Sequence, residues 1–229
     1  MKVFIKIVNF QKNFVQIVRK ILENNINDWS SFFNGWSIIK TIKIQYDFLN
    51  EIINFTNKDS FLLELGSGSG LSSLSLFFSD RKNILVSDID EKVLININKS
   101  IPFLNTKNID MFNIQISKKI DCIFHQGLME HFSDEDIIRS LTEQSKFAKL
   151  IIFDIPNNRR FTKVQEFGNE RFLSVRKWSK LIRKSNLRII KISGRRLPKF
   201  LNFLQNNYFI KKFFGTSSIF VCKSLNEQY

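Results

Sequence analysis

The 229-residue chain is 43% hydrophobic and 24% charged, a balance that fits one globular α/β domain with a modest extension rather than two full domains. No run approaches the roughly 20 apolar residues needed to cross a bilayer, and Lys6, Asn9, Gln11 and Lys12 interrupt the first apolar stretch before an export signal can form. Cys122 and Cys222, both in apolar runs, are the only cysteines, so neither a disulfide framework nor a Cys/His metal spacing is present and a reducing cytoplasm is the expected setting.

The formal net charge of +14 points toward polyanions such as nucleic acid. A single alanine, Ala148, amid abundant Lys, Asn, Ile and Phe suggests AT-rich codon usage, which favours lysine whatever the function. The excess is nevertheless clustered, since residues 157–199 hold fourteen Lys or Arg against Glu166 and Glu170, a local net of +12.

In chain order, Ile7, Phe10, Phe14, Ile17, Val18, Ile21 and Leu22 recur at helical spacing and predict an amphipathic helix. A second helix is predicted from Ile38 to about Phe55, after Ser37 as N-cap. Between them, Trp29, Phe32, Phe33 and Trp36 either pack the two helices together or form an aromatic lid, with Trp29, Phe33 and Trp36 as substrate-binding candidates. After Thr56 short apolar runs alternate with helical stretches, which implies a mostly parallel sheet covered on both faces. The predicted strands are 61–65, 84–87, 121–124, 150–153, 187–192 and 218–222, with a weakly written one before Asp110. Ser133 with Asp134, Glu135 and Asp136 opens a helix to Ser145, Ser174 opens a basic helix to Lys184, and one more is predicted over Pro198–Lys212.

In FLLELGSGSG, residues 61–70, an apolar strand runs into a turn containing Gly66, Gly68 and Gly70 before a helix begins at Leu71. A turn poor in Cβ atoms lets backbone amides approach a ligand beside the positive end of a helix. The dinucleotide fingerprint requires a small residue where Leu71 stands, which argues against NAD.

The pattern E-x-G-x-G-x-G resembles motif I of the class I S-adenosylmethionine-dependent methyltransferases, and the resemblance extends over roughly 59–228. It implies a Rossmann-like α/β fold: a seven-stranded, mostly parallel sheet with helices on both faces, here residues 59–229, preceded by an N-terminal helical extension or lid over 1–58. It further implies S-adenosyl-L-methionine as cofactor, released as S-adenosyl-L-homocysteine. By the same resemblance Glu64 organises the methionine end of the site, while Gly66, Ser67, Gly68 and Gly70 lie against the cofactor. Asp88, twenty-two positions after Gly66, takes the ribose hydroxyls and Ile89 flanks the adenine, with Asp90 serving as a helix cap. Asp110 accepts from the adenine amine, with Met111 or Phe112 packed on the purine.

IDCIFHQGLMEHF, residues 120–132, resembles the fourth strand and following turn of small-molecule members, where His125 and Gln126 end beside the transferable methyl. His125 is the candidate general base. Glu130 and His131 resemble the E-H pair of metal-dependent relatives, but Gly127 stands where another glutamate belongs, so no metal is expected. FDIPNNRRF, residues 153–161, resembles a substrate loop and offers Asn157, Arg159 and Arg160. The resulting expectation is methyl transfer by in-line displacement to an O or N atom of a small metabolite, sugar or secondary-metabolite intermediate. The alternatives are RNA or protein methylation through the basic segment 157–199, and a non-catalytic cofactor-binding scaffold or partner protein.

Overall fold

The computed structural model describes residues 38–158, 170–195, 197, 199–204 and 207–226. The predicted helix over 7–22 and the candidates Trp29, Phe33 and Trp36 lie outside these residues. The described elements are α1 (Ile38–Phe55), β1 (Leu62–Glu64), α2 (Leu71–Phe78), β2 (Ile84–Asp88), α3 (Glu91–Ser100), β3 (Asn105–Asn108), β4 (Ile120–Gln126) and a 3-10 turn (Met129–His131). They continue as α4 (Asp134–Phe147), β5 (Ala148–Pro156), α5 (Val175–Arg183), β6 (Leu187–Arg195), a 3-10 turn (Lys199–Leu204), α6 (Tyr208–Phe214) and β7 (Ser217–Ser224).

The strands form one seven-stranded sheet in the order β3-β2-β1-β4-β5-β7-β6. The pairs from β3 to β5 are parallel, and β7 runs antiparallel between β5 and β6. The strand order reverses between β1 and β4, which opens a crevice at the carboxyl ends of these strands, the usual ligand position in open α/β sheets.

Side chains alternate across the sheet, so one apolar strand feeds two cores. Leu62, Cys122, Phe124 and Ile152 pack with Phe48, Leu49 and Ile52 of α1 on one face, while Leu63, Ile123, Ile151 and Phe153 pack with Trp178, Leu181 and Ile182 of α5 on the other. Helix α1, read from the sequence as part of the N-terminal extension, thus contributes to the core of the sheet, with Phe48 6.4 Å from Phe124 between ring centroids. Arg81 Nη2 donates to the Ile53 and Thr56 carbonyls at 3.0 and 3.2 Å and closes the end of α1.

The helix starts follow their caps: Asp90 accepts from Lys92 N at 2.8 Å, and Ser133 accepts from Asp136 N at 3.1 Å. The single helix predicted over 198–212 is instead a 3-10 turn followed by α6. Asn207 divides them, because its side chain accepts from Ile210 N at 3.1 Å and caps a new helix.

Helix α6 lies so close to β6 that a Cβ on Gly194 would stand 1.7 Å from the Lys211 carbonyl oxygen. That oxygen belongs to backbone and has no rotamer through which to escape. Gly194→Ala should therefore displace α6 and cost about 1–3 kcal/mol, read as a thermal midpoint lowered by roughly 2–4 °C per kcal/mol. An unchanged midpoint would show that α6 is not held at this distance.

Candidate active site

The loop leaving β1 is held by three hydrogen bonds to its two neighbouring strands. Leu65 N donates to Phe124 O of β4 at 3.1 Å, Ser67 N to Ser87 O of β2 at 2.9 Å, and Gly68 N to Asp88 Oδ2 at 3.0 Å. Gly66, Gly68 and Gly70 have φ of 61°, 51° and 69°, values that side-chain-bearing residues rarely adopt. A Cβ on Gly66 would meet Leu128 Cδ1 at 2.9 Å, whereas one on Gly68 would meet nothing within 4 Å. Gly66 is thus required for packing, and Gly68 presents bare backbone to open space. Ser67 Oγ is buried nearby without a hydrogen-bond partner.

Asp88, at the end of β2, accepts from Asp90 N at 3.1 Å through its other oxygen. Each carboxylate oxygen keeps lone pairs for further donors. Beside it Ile89 is 65% exposed, an apolar side chain left without cover at the strand end. Asp110 is exposed and holds the next turn by accepting from Phe112 N at 2.8 Å. Met111 turns into the core instead of facing the crevice, leaving half-buried Phe112, edge-on to Phe132 at 5.5 Å, as the aromatic surface of that turn.

Glu64 ends β1 buried beneath the loop and accepts from Ser73 Oγ of α2 at 2.5 Å. Desolvation pushes its carboxyl up to about 7, against the opposing hydrogen bonds from Ser73 and Ser72.

Two candidates need correction. His125 belongs to the core: alternation along β4 places it with Ile123 on the α5 face, where its ring stacks on Phe153 at 5.2 Å and has no exposure. Burial pushes its pKa down to about 3, only partly countered by Gln144 of α4, so the imidazole is neutral and walled off from any substrate. Asn157 is also buried and serves as a latch, donating from Nδ2 to Gly215 O at 2.9 Å and accepting from Ser218 Oγ at 2.8 Å. Arg159 and Arg160 lie outside the described residues.

At the carboxyl ends of β4 and β5 the structure brings Asp154, which sequence reasoning did not single out, to the same edge as Glu130, read from the sequence as part of an E-H pair in the turn after the fourth strand. Gln126 Nε2 donates to Asp154 Oδ2 at 3.2 Å, and Arg195 of β6 pairs with the same oxygen. Asp154 Oδ1 and Glu130 Oε2 are buried without hydrogen-bond partners. Glu130 sits on the 3-10 turn after β4 with its carboxyl near Gly127, and desolvation raises its pKa. The signal for Asp154 was an acid directly after the apolar run of a strand, the position that singled out Asp88. Among the described residues no cluster of three His, Cys, Asp or Glu side chains has a metal-binding arrangement.

A doubly wound sheet with an antiparallel β7 inserted between β5 and β6, a left-handed glycine loop after β1 and an acid closing β2 match the class I methyltransferase fold. No protein-family model and no curated protein sequence matches the chain. Solved structures of that fold do. One is an S-adenosylmethionine-dependent methyltransferase from Clostridium acetobutylicum, 15% identical, with 94% of this chain and 99% of the other covered at a TM-score of 0.60. Another is magnesium protoporphyrin IX methyltransferase from Synechocystis with bound S-adenosylhomocysteine, 14% identical, covering 91% and 99% at 0.62. A third is a glycopeptide N-methyltransferase complexed with S-adenosylhomocysteine, 10% identical, covering 77% and 85% at 0.59.

The buried titrating groups give stability a defined pH signature. With its pKa raised to about 7, folded Glu64 holds a proton that the unfolded chain has released, so stability falls as pH rises from about 4.5 to 7. With its pKa lowered to about 3, folded His125 refuses a proton that the unfolded chain takes up below 6.5, so stability is lost as pH falls from 6.5 toward 3. Glu64→Gln should therefore gain on the parent protein as pH rises from 5 to 8, by on the order of 3 kcal/mol, in urea unfolding. His125→Phe should remove the acid-side loss, and a pH-independent difference for either variant would contradict the burial described.

Proposed function

We propose that the chain is an S-adenosylmethionine-dependent methyltransferase acting on an O or N atom of a small-molecule acceptor. The observation that carries this reading is the open backbone at Gly68, bonded to Asp88 and bordered by exposed Ile89, at the reversal of a sheet with this fold. The loop leaves room for a charged tail beside the unpartnered Ser67 hydroxyl, Asp88 offers a carboxylate for vicinal hydroxyls and Ile89 an apolar shelf for a purine, so the residues present fit the cofactor.

When bound, the cofactor supplies a methyl group already activated on a sulfonium. The chain's own contribution is to bind, orient and exclude water. Asp88 would accept the ribose hydroxyls through lone pairs left free by Gly68 N and Asp90 N. Ile89 would cover one side of the adenine, and Asp110 would accept from its amine through the oxygen not engaged by Phe112 N. Glu64 and Ser67 would line the methionine end, with Gln126 at the end of β4 facing the acceptor side.

Glu130 on the turn at the crevice, rather than His125 in the α5 core, is the group suited to relieve an acceptor hydroxyl or ammonium of its proton. Its carboxylate is desolvated, its pKa is raised, and Oε2 has no partner in the fold. The porphyrin and glycopeptide enzymes that share the fold support an acceptor of small-molecule size.

Calorimetry should show S-adenosylhomocysteine binding to the parent chain, and Asp88→Ala should weaken it about 100-fold, the loss of two hydrogen bonds to a charged acceptor. Failure of the parent to bind would sink the reading. With labelled cofactor and an acceptor, Glu130→Gln should lower kcat about 100-fold and flatten the acid limb of its pH profile. Full turnover by that variant at every pH would remove Glu130 from the role.

A further inference from the structure

Residues 171–225 contain fourteen Lys or Arg and no Asp or Glu, while the rest of the chain contains 21 of each sign. The whole net charge of +14 therefore resides in the last quarter of the chain, which supplies α5, β6, α6 and β7. The same quarter carries the most conspicuous exposed apolar surface: Phe203, Phe209, Phe213 and Phe214 are 81%, 70%, 53% and 51% exposed within twelve residues.

Helix α6 is inverted relative to an ordinary surface helix. Its Lys211 points inward, with Nζ donating to Asp47 of α1 at 2.6 Å, while Phe209, Lys212 and Phe213 occupy the outward i, i+3, i+4 face. The Phe209 and Phe213 rings lie 5.5 Å apart and form one knob. Burying them would have stabilised the fold, so their outward position calls for an apolar environment that the described residues do not provide. Helix α6 joins the end of β6 to the start of β7, where Ser217 pairs with Pro156. That places the knob at the carboxyl edge of the sheet, the edge on which Asp154 and Glu130 lie.

We propose that α6 and the preceding Lys199–Leu204 turn dock the protein on an anionic membrane surface, the phenylalanines entering the acyl boundary and the surrounding cations meeting lipid headgroups. Aromatic residues beside lysine on a short helix suit an interface of that chemistry. Arg176, Lys180 and Arg183, exposed on α5, and Lys184 just beyond it extend the positive potential of the same quarter of the chain. Nucleic acid would account for the cations and stack bases on exposed ring faces, whereas an acyl boundary buries the whole Phe209–Phe213 knob and so fits the apolar surface better. Docking at this edge would bring the crevice to the bilayer and favour a lipophilic acceptor. That last point alone rests on the proposed methyl transfer; the docking does not.

Full-length protein should cosediment at low salt with vesicles of phosphatidylcholine and about one third phosphatidylglycerol, and not with phosphatidylcholine alone. Phe209→Ser with Phe213→Ser should lower the partition coefficient at least about 10-fold while leaving the thermal midpoint and S-adenosylhomocysteine binding unchanged. Lys180→Gln with Arg183→Gln should weaken binding less and reduce its salt dependence. No binding to anionic vesicles would overturn the proposal. So would a phenylalanine variant that binds like the parent, or preferential binding to a single-stranded RNA that ignores the phenylalanine changes. Vesicle binding without S-adenosylhomocysteine binding would leave the docking standing and remove only the methyltransferase reading.

Discussion

The hydrogen bond from the Gly68 amide to Asp88 ties the loop after β1 to the end of β2, twenty residues further along the chain, and the carboxyl edge depends on it. It fixes a loop whose three glycines occupy left-handed backbone that no other residue would hold cheaply. Leu128, packed where a Cβ on Gly66 would stand, carries the same constraint to the turn after β4. The ends of β1, β2 and β4 are therefore set together. A change at any of them moves the backbone that a ligand would touch.

The edge is costly in other ways. Glu64 and Glu130 are buried with raised pKa values, and Asp154 is buried with only one of its oxygens engaged. Buried acids without full hydrogen bonding destabilise a fold. Other polar groups tie the fold together: Arg81 closes α1, Asp121 accepts from Phe61 N at 2.9 Å, and Asn157 ties β5 to β7. Unpartnered buried atoms occur away from the crevice as well, Trp178 Nε1, Ser193 Oγ and Arg81 Nε among them, but at the crevice they are the carboxylate and hydroxyl oxygens of Asp154, Glu130 and Ser67, groups suited to a polar ligand.

The parts legible in the sequence were those written locally. Strand runs, the glycine turn and the caps at Asp90, Ser133 and Ser174 each follow from a few neighbouring residues, and the structure reproduces them. The misplaced residues depended on the face of an element or on a distant partner. His125 is one residue from Gln126, and the alternation of β4 sends one into the α5 core and the other to Asp154. Asn157 reads as a loop polar group until β7, some sixty residues later, supplies Ser218 and a carbonyl next to it. Asp154 required Arg195, whose strand joins the sheet only through β7. No local signal encodes those meetings.

The charge of the last quarter has one structural use, which limits what else can be asked of it. β6 is an edge strand, and Arg188, Lys191 and Arg195, with a bulge between Ile189 and Lys191, discourage pairing with a second sheet. Two of these cations are also tied inward, Lys191 to Glu51 at 2.8 Å and Arg195 to Asp154. Edge protection therefore accounts for the cations of β6. It does not account for the exposed basic face of α5, which lies over the sheet and not at its edge, nor for phenylalanines turned outward on α6 while a lysine of the same helix turns in. Those features belong to the surface, and a surface partner is the simplest physical reason for a chain to keep them there.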